Sequence, residues 1–229
     1  LKSPLVNISG FAKELNLSCG DLTEILQKKD RNQEDEQKIS ELLDEYIPQA
    51  VDFINAGTNK MNMLINGLLQ VSRAGTLEID IKKLDMNEIL REVTESVKFQ
   101  ARQAGAEITI DDLPPCKADS SAVNQIFSNL VNNSLKYLSP ERKGKIHIYG
   151  KVEDNVSVYY VQDNGIGIHE QFHEKIFELF HRLNPNDRAG GEGLGLTIVK
   201  RIIDRLNGSI TVESEEDKGS KFILTLPKA

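Results

Sequence analysis

Two heptad patterns occupy the first third of the chain and strongly constrain its fold. The first consists of apolar residues with alternating gaps of four and three, at Leu1, Leu5, Ile8, Ala12, Leu15, Cys19, Leu22 and Leu26. The second contains Ile39, Leu43, Tyr46, Ala50, Phe53, Gly57, Met61, Leu64, Leu68 and Val71. This spacing predicts two long helices, each with an apolar seam. The polar run over residues 28–36 predicts the loop that joins them into an antiparallel hairpin.

One hairpin offers too little surface to bury the apolar residues of both seams. Further apolar residues widen the stripe of the second helix, namely Leu42, Ile47, Ile54 and Ile65. We therefore expect two hairpins to pack as a four-helix bundle in a homodimer, with a monomeric coiled-coil spacer as the alternative. Cys19 lies on the first seam, which predicts a small buried side chain. Pro48 predicts a bend or local unwinding of the second helix near Glu45.

Composition and charge narrow the classes of function. The net charge of −7 argues against broad nucleic-acid binding, so no nucleic-acid partner is expected. The two cysteines, Cys19 and Cys116, have no metal-ligand spacing, which fits a reduced, cytoplasmic setting. No apolar run approaches the ~20 residues needed to span a bilayer. The chain opens in the middle of a pattern without Met, so we expect further chain upstream, with or without a membrane anchor.

The residues beyond the hairpin are predicted to form an α/β domain, with a domain boundary between residues 75 and 80. Asp85 and Asp119 are good N-cap residues for two helices. Alternating apolar residues predict strands, or extended chain in the first case, at 77–81, 107–111, 144–151, 156–161, 209–214 and 220–226. A third helix is predicted from Thr197 to Leu206, ended by Gly208. We expect an antiparallel-dominated α/β sandwich over residues 76–229.

The helix that follows Asp119 has one apolar face and one polar face. The polar face contains Asn129, Asn133, Lys136 and Tyr137, at spacings of i, i+4, i+7 and i+8. An asparagine carbonyl oxygen suits Mg²⁺, which also takes ligands from substrate phosphates. A lysine supplies a point charge for phosphate. The face therefore predicts a wall for a phosphorylated ligand and a divalent ion.

Two glycine clusters bracket a stretch that begins at Asp163. The first cluster is Asp163-Asn164-Gly165-Ile166-Gly167-Ile168, and the second is Gly190-Gly191-Glu192-Gly193-Leu194-Gly195-Leu196. Glycines let a ligand approach the backbone, and the N–H groups that open a helix favour anions. The stretch therefore predicts a nucleotide site, with residues 169–190 as a lid that opens and closes.

Four motifs occur in order along the chain. They are Asn129-Leu130-Val131-Asn132-Asn133-Ser134-Leu135-Lys136-Tyr137, then Asp163 to Ile168, then Phe177-Glu178-Leu179-Phe180, then Gly191 to Leu196. Together they resemble the N, G1, F and G2 boxes of sensor histidine kinases. Leu1-Lys2-Ser3-Pro4-Leu5 resembles the end of the family's phospho-acceptor box. The resemblance implies a dimerisation and histidine-phosphotransfer hairpin at residues 1–75. It implies a catalytic ATP-binding domain of the GHKL type at residues 76–229.

The resemblance also implies roles for individual residues. The expected ATP contacts are Asn129, Asn133, Lys136, Tyr137, Asp163, Gly165, Gly167, Arg182, Gly191, Gly193, Leu194 and Gly195. Asn133 is the expected Mg²⁺ ligand, and Asp163 is expected to accept a hydrogen bond from the adenine amino group. Arg182 is placed to reach the γ-phosphate, with a solvated lid arginine as the alternative. Phe177 and Phe180 are expected to pin the lid to the core.

The expected acceptor histidine would lie two residues before Leu1. The four histidines present, His147, His169, His173 and His181, are predicted to be structural or solvated. Ser3 stands one turn after the acceptor position, where a hydroxyl or amide of related proteins positions water for phosphatase activity.

The implied function is ATP-dependent histidine autophosphorylation, followed by transfer to the receiver domain of a response regulator. A sensor domain is expected outside this chain. The alternatives are a GHKL-type ATPase and a nucleotide-binding regulatory module without kinase activity. Related ATPases use a glutamate one turn before the metal asparagine, and Asn129 at that place favours transfer over hydrolysis.

Overall fold

The structure is a computed structural model that describes residues 2–76, 79–179 and 194–229. The chain divides into two compact units, residues 1–68 and residues 69–229. The first unit is helical, and the second contains both helices and strands. Within the described ranges, no helix combines the length and the apolar character that a membrane crossing requires.

The helical unit is a hairpin with a short connection. Its elements are α1 (Lys2–Gln27), α2 (Gln33–Glu41), a π-helix (Leu42–Tyr46) and α3 (Ile47–Thr76), whose last residues belong to the second unit. The Asn32 side chain accepts the N–H of Asp35, and Asp35 in turn accepts the N–H of Asn32. This capping box starts the second arm earlier than predicted, because it satisfies the N–H groups of the first turn. The loop is therefore residues 28–32.

The π-helix confirms the unwinding predicted from Pro48. It covers Leu42–Tyr46 and ends one residue before α3 begins, with Pro48 in the first turn of α3. Proline has no N–H, and its ring collides with the carbonyl group four residues earlier in a regular helix. A wider turn at this point accommodates the ring while the second arm continues as one helical rod.

The apolar surface of α1 is three residue rows wide rather than two. Ile8, Leu15 and Leu22 form the middle row, partly buried against the second arm, and Phe11 on one flank stacks on Phe53 with ring centroids 4.3 Å apart. The opposite flank, which we call the exposed row, consists of Leu5, Ala12, Cys19 and Leu26. The prediction that Cys19 is buried is therefore wrong for the single chain. Heptad spacing alone allows a seam on either flank.

The second unit confirms the predicted antiparallel-dominated α/β sandwich. Its elements in order are β1 (Lys82–Leu84), α4 (Met86–Ser96), α5 (Lys98–Gln103), β2 (Glu107–Ile110), β3 (Cys116–Ala118), α6 (Ser120–Lys136), β4 (Lys145–Glu153), β5 (Val156–Asp163), α7 (Gly195–Arg205), β6 (Ser209–Glu215) and β7 (Gly219–Pro227). The main sheet has the order β2-β4-β5-β7-β6, and only the β2–β4 pair is parallel. Two 3₁₀ turns, Glu170–Phe172 and Lys175–Phe177, follow β5.

Helices α4, α6 and α7 cover one face of the main sheet. Asp85 and Asp119 cap α4 and α6 as predicted. Strand β1 covers residues 82–84, where it pairs with β3. Of the strand or extended chain predicted at 77–81, residues 79–81 form no strand, and residues 77 and 78 lie outside the described part. Burial raises the pKa of the Cys116 thiol to about 11, so this cysteine is an inert core residue.

The end of α7 differs from the prediction that Gly208 stops the helix. Asn207 adopts the left-handed conformation with φ of 56°, and the N–H of Gly208 bonds back to the carbonyl of Ile203 at 3.0 Å. This is a Schellman ending with asparagine in the left-handed position. Glycine is needed at 208 for another reason, since a Cβ there would lie 2.1 Å from the carbonyl oxygen of Thr225.

Candidate functional site

The candidate site forms where β5 ends beside α6. Asp163 is the last residue of β5, and only 8% of it is exposed. Its Oδ1 accepts the N–H of Gly165 at 2.9 Å and the N–H of Ser220 at 3.2 Å. Its Oδ2 accepts the hydroxyl of Ser134 at 3.1 Å. An ionised carboxylate has about four acceptor positions, so Asp163 retains capacity for one more donor.

The environment of Asp163 acts on its charge in two opposing ways. Burial raises the pKa of its carboxyl above the ordinary value, because the ionised form loses solvation. The hydrogen bonds from Gly165, Ser134 and Ser220 favour the ionised form and lower the pKa. A buried carboxylate held by three donors is a preorganised acceptor for a donor on a ligand.

The loop after Asp163 packs closely on neighbouring backbone. A Cβ on Gly165 would lie 2.3 Å from the carbonyl oxygen of Tyr137, which also accepts the N–H of Ile166 at 3.0 Å. Gly167 has a φ of 72°, and its Cβ would lie 1.9 Å from the carbonyl oxygen of Glu215. Both positions therefore require glycine even without a ligand, because the atoms that a Cβ would collide with belong to the protein backbone.

Two amides of α6 lie beside the start of α7. Helix α7 begins at Gly195 after Leu194, and among the described residues no side chain caps its first N–H groups. A Cβ on Gly195 would lie 3.1 Å from Oδ1 of Asn129 and 3.9 Å from Nδ2 of Asn133. The predicted site residues Asn129, Asn133, Leu194 and Gly195 thus come together. Uncapped N–H groups at a helix start attract anions.

Lys136 and Tyr137 lie at the other end of α6. Lys136 is the last helical residue, and Tyr137 is the C-cap residue rather than part of the helical stripe. The ammonium nitrogen of Lys136 is 4.8 Å from the centre of the Tyr137 ring. Within the described ranges, Lys136 takes part in no ion pair, so its charge is available for an anion.

Comparison with known proteins identifies the family. The family described as Histidine kinase-, DNA gyrase B-, and HSP90-like ATPase matches residues 118–229, which contain α6, Asp163 and α7. The catalytic domain of histidine kinase ThkA, solved free of nucleotide, is 30% identical and has a TM-score of 0.56. That match covers 65% of this chain and 96% of the ThkA domain. The chain belongs to the sensor histidine kinase family.

Similarity to curated histidine kinases and phytochromes extends into the hairpin. A phytochrome-like protein of Synechocystis sp. is 35% identical over 192 residues, which is 84% of this chain and 26% of the relative. The methanogenesis regulatory histidine kinase FilI of Methanothrix harundinacea is 32% identical over 228 residues, which is 99% of this chain and 23% of the relative. The chain thus spans about a quarter of these relatives, and the family resemblance read from the motifs is confirmed.

Part of the predicted site of this histidine kinase chain lies outside the described residues, namely Arg182, Gly191 and Gly193. The predicted lid, residues 169–190, is described only as far as Leu179. Phe177 packs against the core as predicted, while Phe180 lies outside the described part. The hydroxyl of Thr197 donates to the carbonyl of Glu178 at 2.9 Å and ties α7 to the end of this segment.

Three histidines have structural partners, as predicted. His147 lies 3.0 Å from the carboxylate of Asp111. Nδ1 of His169 accepts the N–H of Gln171 and caps a 3₁₀ turn. Nε2 of His173 is 3.1 Å from the carbonyl oxygen of Ile168. His181 lies outside the described residues.

Three residues around Asp163 were not predicted from the sequence, namely Ser134, Ser220 and Arg142. Ser134 carried a signal, because it interrupts the apolar face of α6 and is 1% exposed. A buried hydroxyl needs a partner, and that partner is Asp163. The N–H of Ser220 donates to the carboxylate of Asp163, and Arg142 donates to the backbone carbonyl of Asn164. These partners are distant in the sequence, so residue spacing does not predict the contacts.

Proposed function

We propose that this chain binds ATP between α6, the loop after Asp163 and the start of α7. The proposal rests on Asp163, which is buried and accepts three hydrogen bonds. Its carboxylate can accept one more hydrogen bond, from a ligand. Its carboxylate accepts a hydrogen bond from the adenine amino group. A hydrogen bond to a charged acceptor contributes about 1.5–3 kcal/mol. Adenine is thereby fixed at one end of the site, and the phosphates extend toward α7.

The phosphates lie between Lys136, the start of α7 and the second glycine cluster. The ammonium group of Lys136 and the uncapped N–H groups after Leu194 supply positive potential. Gly191, Gly193 and Gly195 complete the phosphate cradle, Arg182 reaches the γ-phosphate, and Tyr137 lies beside the nucleoside. Phosphoryl transfer of this kind depends on positioning and electrostatic stabilisation more than on covalent chemistry.

The residues present fit a Mg²⁺ ion that arrives with the nucleotide. Within the described residues, the Asn133 amide has no hydrogen-bond partner and is half-buried beside Gly195. No group of three or more His, Cys, Asp and Glu side chains in the described part could hold a metal ion. Mg²⁺ commonly uses few protein ligands together with substrate phosphates and waters. Asn133 would hold the ion, which when bound would neutralise phosphate charge.

The phosphoryl acceptor is a histidine on a dimeric hairpin. Residues 1–75 form the dimerisation and phosphotransfer domain, and residues 76–229 form the catalytic domain. The exposed row of α1 is the surface that a second hairpin covers to complete a four-helix bundle. Autophosphorylation is followed by transfer to an aspartate on the receiver domain of a response regulator.

A response-regulator partner is supported by a relative. ThkA has been solved in complex with the response regulator protein TrrA. Ser3, which is exposed on α1, positions water for dephosphorylation of the regulator. Unchanged regulator dephosphorylation in a Ser3→Ala variant would remove this role.

A chain extended upstream through the expected acceptor histidine tests the function directly. Incubation with ATP labelled at the γ-phosphate and Mg²⁺ is expected to give an acid-labile, base-stable label on the hairpin. An Asn133→Ala variant controls for the metal-dependent step and is expected to remain unlabelled. Steady phosphate release without labelled protein would instead indicate a GHKL-type ATPase, an outcome that Asn129 in place of a glutamate disfavours.

A further inference from the structure

Arg142 joins three backbone carbonyl groups next to the candidate site. It lies in the loop between α6 and β4, and its Nε donates to the carbonyl of Asn164 at 2.8 Å. Its Nη2 donates to the carbonyl of Gly165 at 2.8 Å and also to the carbonyl of Asp217. One side chain therefore holds the loop after Asp163 and the turn between β6 and β7.

The two segments that Arg142 joins already touch through their backbones. The N–H of Asp217 donates to the carbonyl of Ile166 at 2.8 Å. A Cβ on Gly219 would lie 2.1 Å from the carbonyl oxygen of Asp163. The loop after Asp163 thus packs directly on the turn between β6 and β7. Arg142 adds hydrogen bonds to both segments.

Gly165 is hydrogen-bonded both to Arg142 and to Asp163. Its carbonyl accepts the Arg142 guanidinium, while its N–H donates to Oδ1 of Asp163 at 2.9 Å. A shift of Gly165 therefore moves one of the donors that orient the Asp163 carboxylate. Within the described ranges no ion pair includes Arg142, so its charge is balanced by carbonyl dipoles rather than by a carboxylate.

The contact depends on the shape of the guanidinium group. Arginine presents five N–H donors in a planar fork, and donors on Nε and Nη2 can bind separate acceptors at the same time. Lysine carries the same charge as a compact point on a flexible stem. It cannot reproduce the fixed fork that binds Asn164 and Gly165 together.

We propose that Arg142 is a positioning residue for adenine recognition, acting through Gly165 on the Asp163 carboxylate. This inference rests on the proposed function, because it assumes that Asp163 binds the adenine amino group. The alternative is that Arg142 only stabilises the fold. The two roles make different predictions. A positioning role affects the contact with the adenine amino group and leaves the contacts with the phosphates unchanged.

The test measures the affinity of wild type and Arg142→Lys for two nucleotides. One is ATP, and the other is purine riboside triphosphate, which lacks the 6-amino group. Arg142→Lys is expected to weaken ATP on the order of tenfold, the scale of one hydrogen bond to a charged group. It is expected to leave the analogue within about twofold, because the analogue makes no contact for Arg142 to support.

Arg91→Lys is the matched control. The Arg91 Nε also donates to a backbone carbonyl, that of Asn87 at 3.1 Å, but within its own helix. This variant is expected to bind both nucleotides as the wild type does. Arg142→Gln, which keeps an amide donor without the charge, is a second variant in case lysine disturbs folding. Circular dichroism establishes that each variant is folded before its affinity is compared.

The outcomes separate this inference from the proposed function. Equal loss of both nucleotides in the folded Arg142 variants, or no loss of either, overturns the positioning role while ATP binding by the wild type stands. A wild type that does not bind ATP overturns both. Selective loss of ATP supports the inference, and faster hydrogen exchange at the Gly165 N–H in Arg142→Lys would locate the effect at Asp163.

Discussion

The hydroxyl of Ser134 donates to Oδ2 of Asp163 over 3.1 Å, and both residues are buried. The bond joins α6 to the end of β5 at the point where the candidate site begins. A hydroxyl in an otherwise apolar helix face loses its water on folding, so this bond replaces solvation for both partners. The ionised form of Asp163 gains more than the neutral form, because a donor stabilises negative charge.

Replacement of Ser134 by alanine should change the pH dependence of ATP binding. Loss of the hydroxyl removes one of the three bonds that oppose the effect of burial, so the pKa of Asp163 should rise further. Protonation then weakens ATP binding at a higher pH than in the wild type. Titration of ATP affinity against pH measures the shift. Ser128→Ala is the control, because Ser128 lies on the same helix and donates to Asn124 instead. Superimposable profiles for Ser134→Ala and wild type would contradict the prediction.

Replacement of Asp163 by asparagine should separate stability from function. Burial raises the folded-state pKa of Asp163 above its unfolded value, so the folded chain binds this proton more tightly. The stability of the wild type therefore falls as pH rises from the ordinary aspartate pKa of about 3.9 through the raised value. Asparagine does not ionise and keeps an acceptor oxygen for Gly165 and Ser220.

The Asp163→Asn variant should consequently unfold at pH 7 at the same temperature as the wild type or at a higher one. It should lose ATP binding and keep the oligomeric state of the wild type. Thermal unfolding at several pH values, isothermal titration with ATP and sedimentation measure the three properties. Retained ATP affinity would show that the carboxylate is not the adenine acceptor.

The predictions that succeeded rest on local chemistry. Asp85 and Asp119 cap helices because a carboxylate accepts free N–H groups wherever a helix starts. Pro48 predicts unwinding because its missing N–H and its ring act within one turn. The end of β5 at Asp163 follows from alternation and from the glycines behind it.

The features that were missed depend on distant parts of the chain. Strand β1 at residues 82–84 was not predicted, because it is set by its pairing with β3, more than thirty residues away. Cys19 is exposed in the single chain because the second arm covers the other flank of α1, and heptad spacing alone does not identify which flank that arm covers. Arg142 binds carbonyl groups, which every residue has, so no residue type marks its partners.

Replacement of Gly167 by alanine should destabilise the second unit. Gly167 has a positive φ, and a Cβ would lie 1.9 Å from the carbonyl oxygen of Glu215. The strained conformation alone costs about 1–3 kcal/mol, and the collision adds to it. Gly105→Ala is the matched control, since Gly105 has a φ of 62° and open space around its Cβ. Urea unfolding should show a larger loss for Gly167→Ala, and equal losses would mean that the collision relaxes freely.

A glutamate on the exposed row of α1 should dissociate the proposed dimer. Leu26 belongs to this row and is 51% exposed in the single chain, whereas Leu17, on the opposite side of the helix, is 61% exposed. Burial of a leucine contributes about 1.5–3 kcal/mol, and each dimer buries two copies. Leu26→Glu should therefore raise the dimer dissociation constant at least ~100-fold.

Leu17→Glu makes the same chemical change on a face that the proposed four-helix bundle would leave in solvent. It should leave the dimer dissociation constant unchanged, because its side chain stays exposed in both states. Analytical ultracentrifugation over a range of concentrations compares the two variants with the wild type. Equal dissociation constants for all three proteins would mean that the hairpins do not associate through Leu5, Ala12, Cys19 and Leu26, and that the dimer needs another surface.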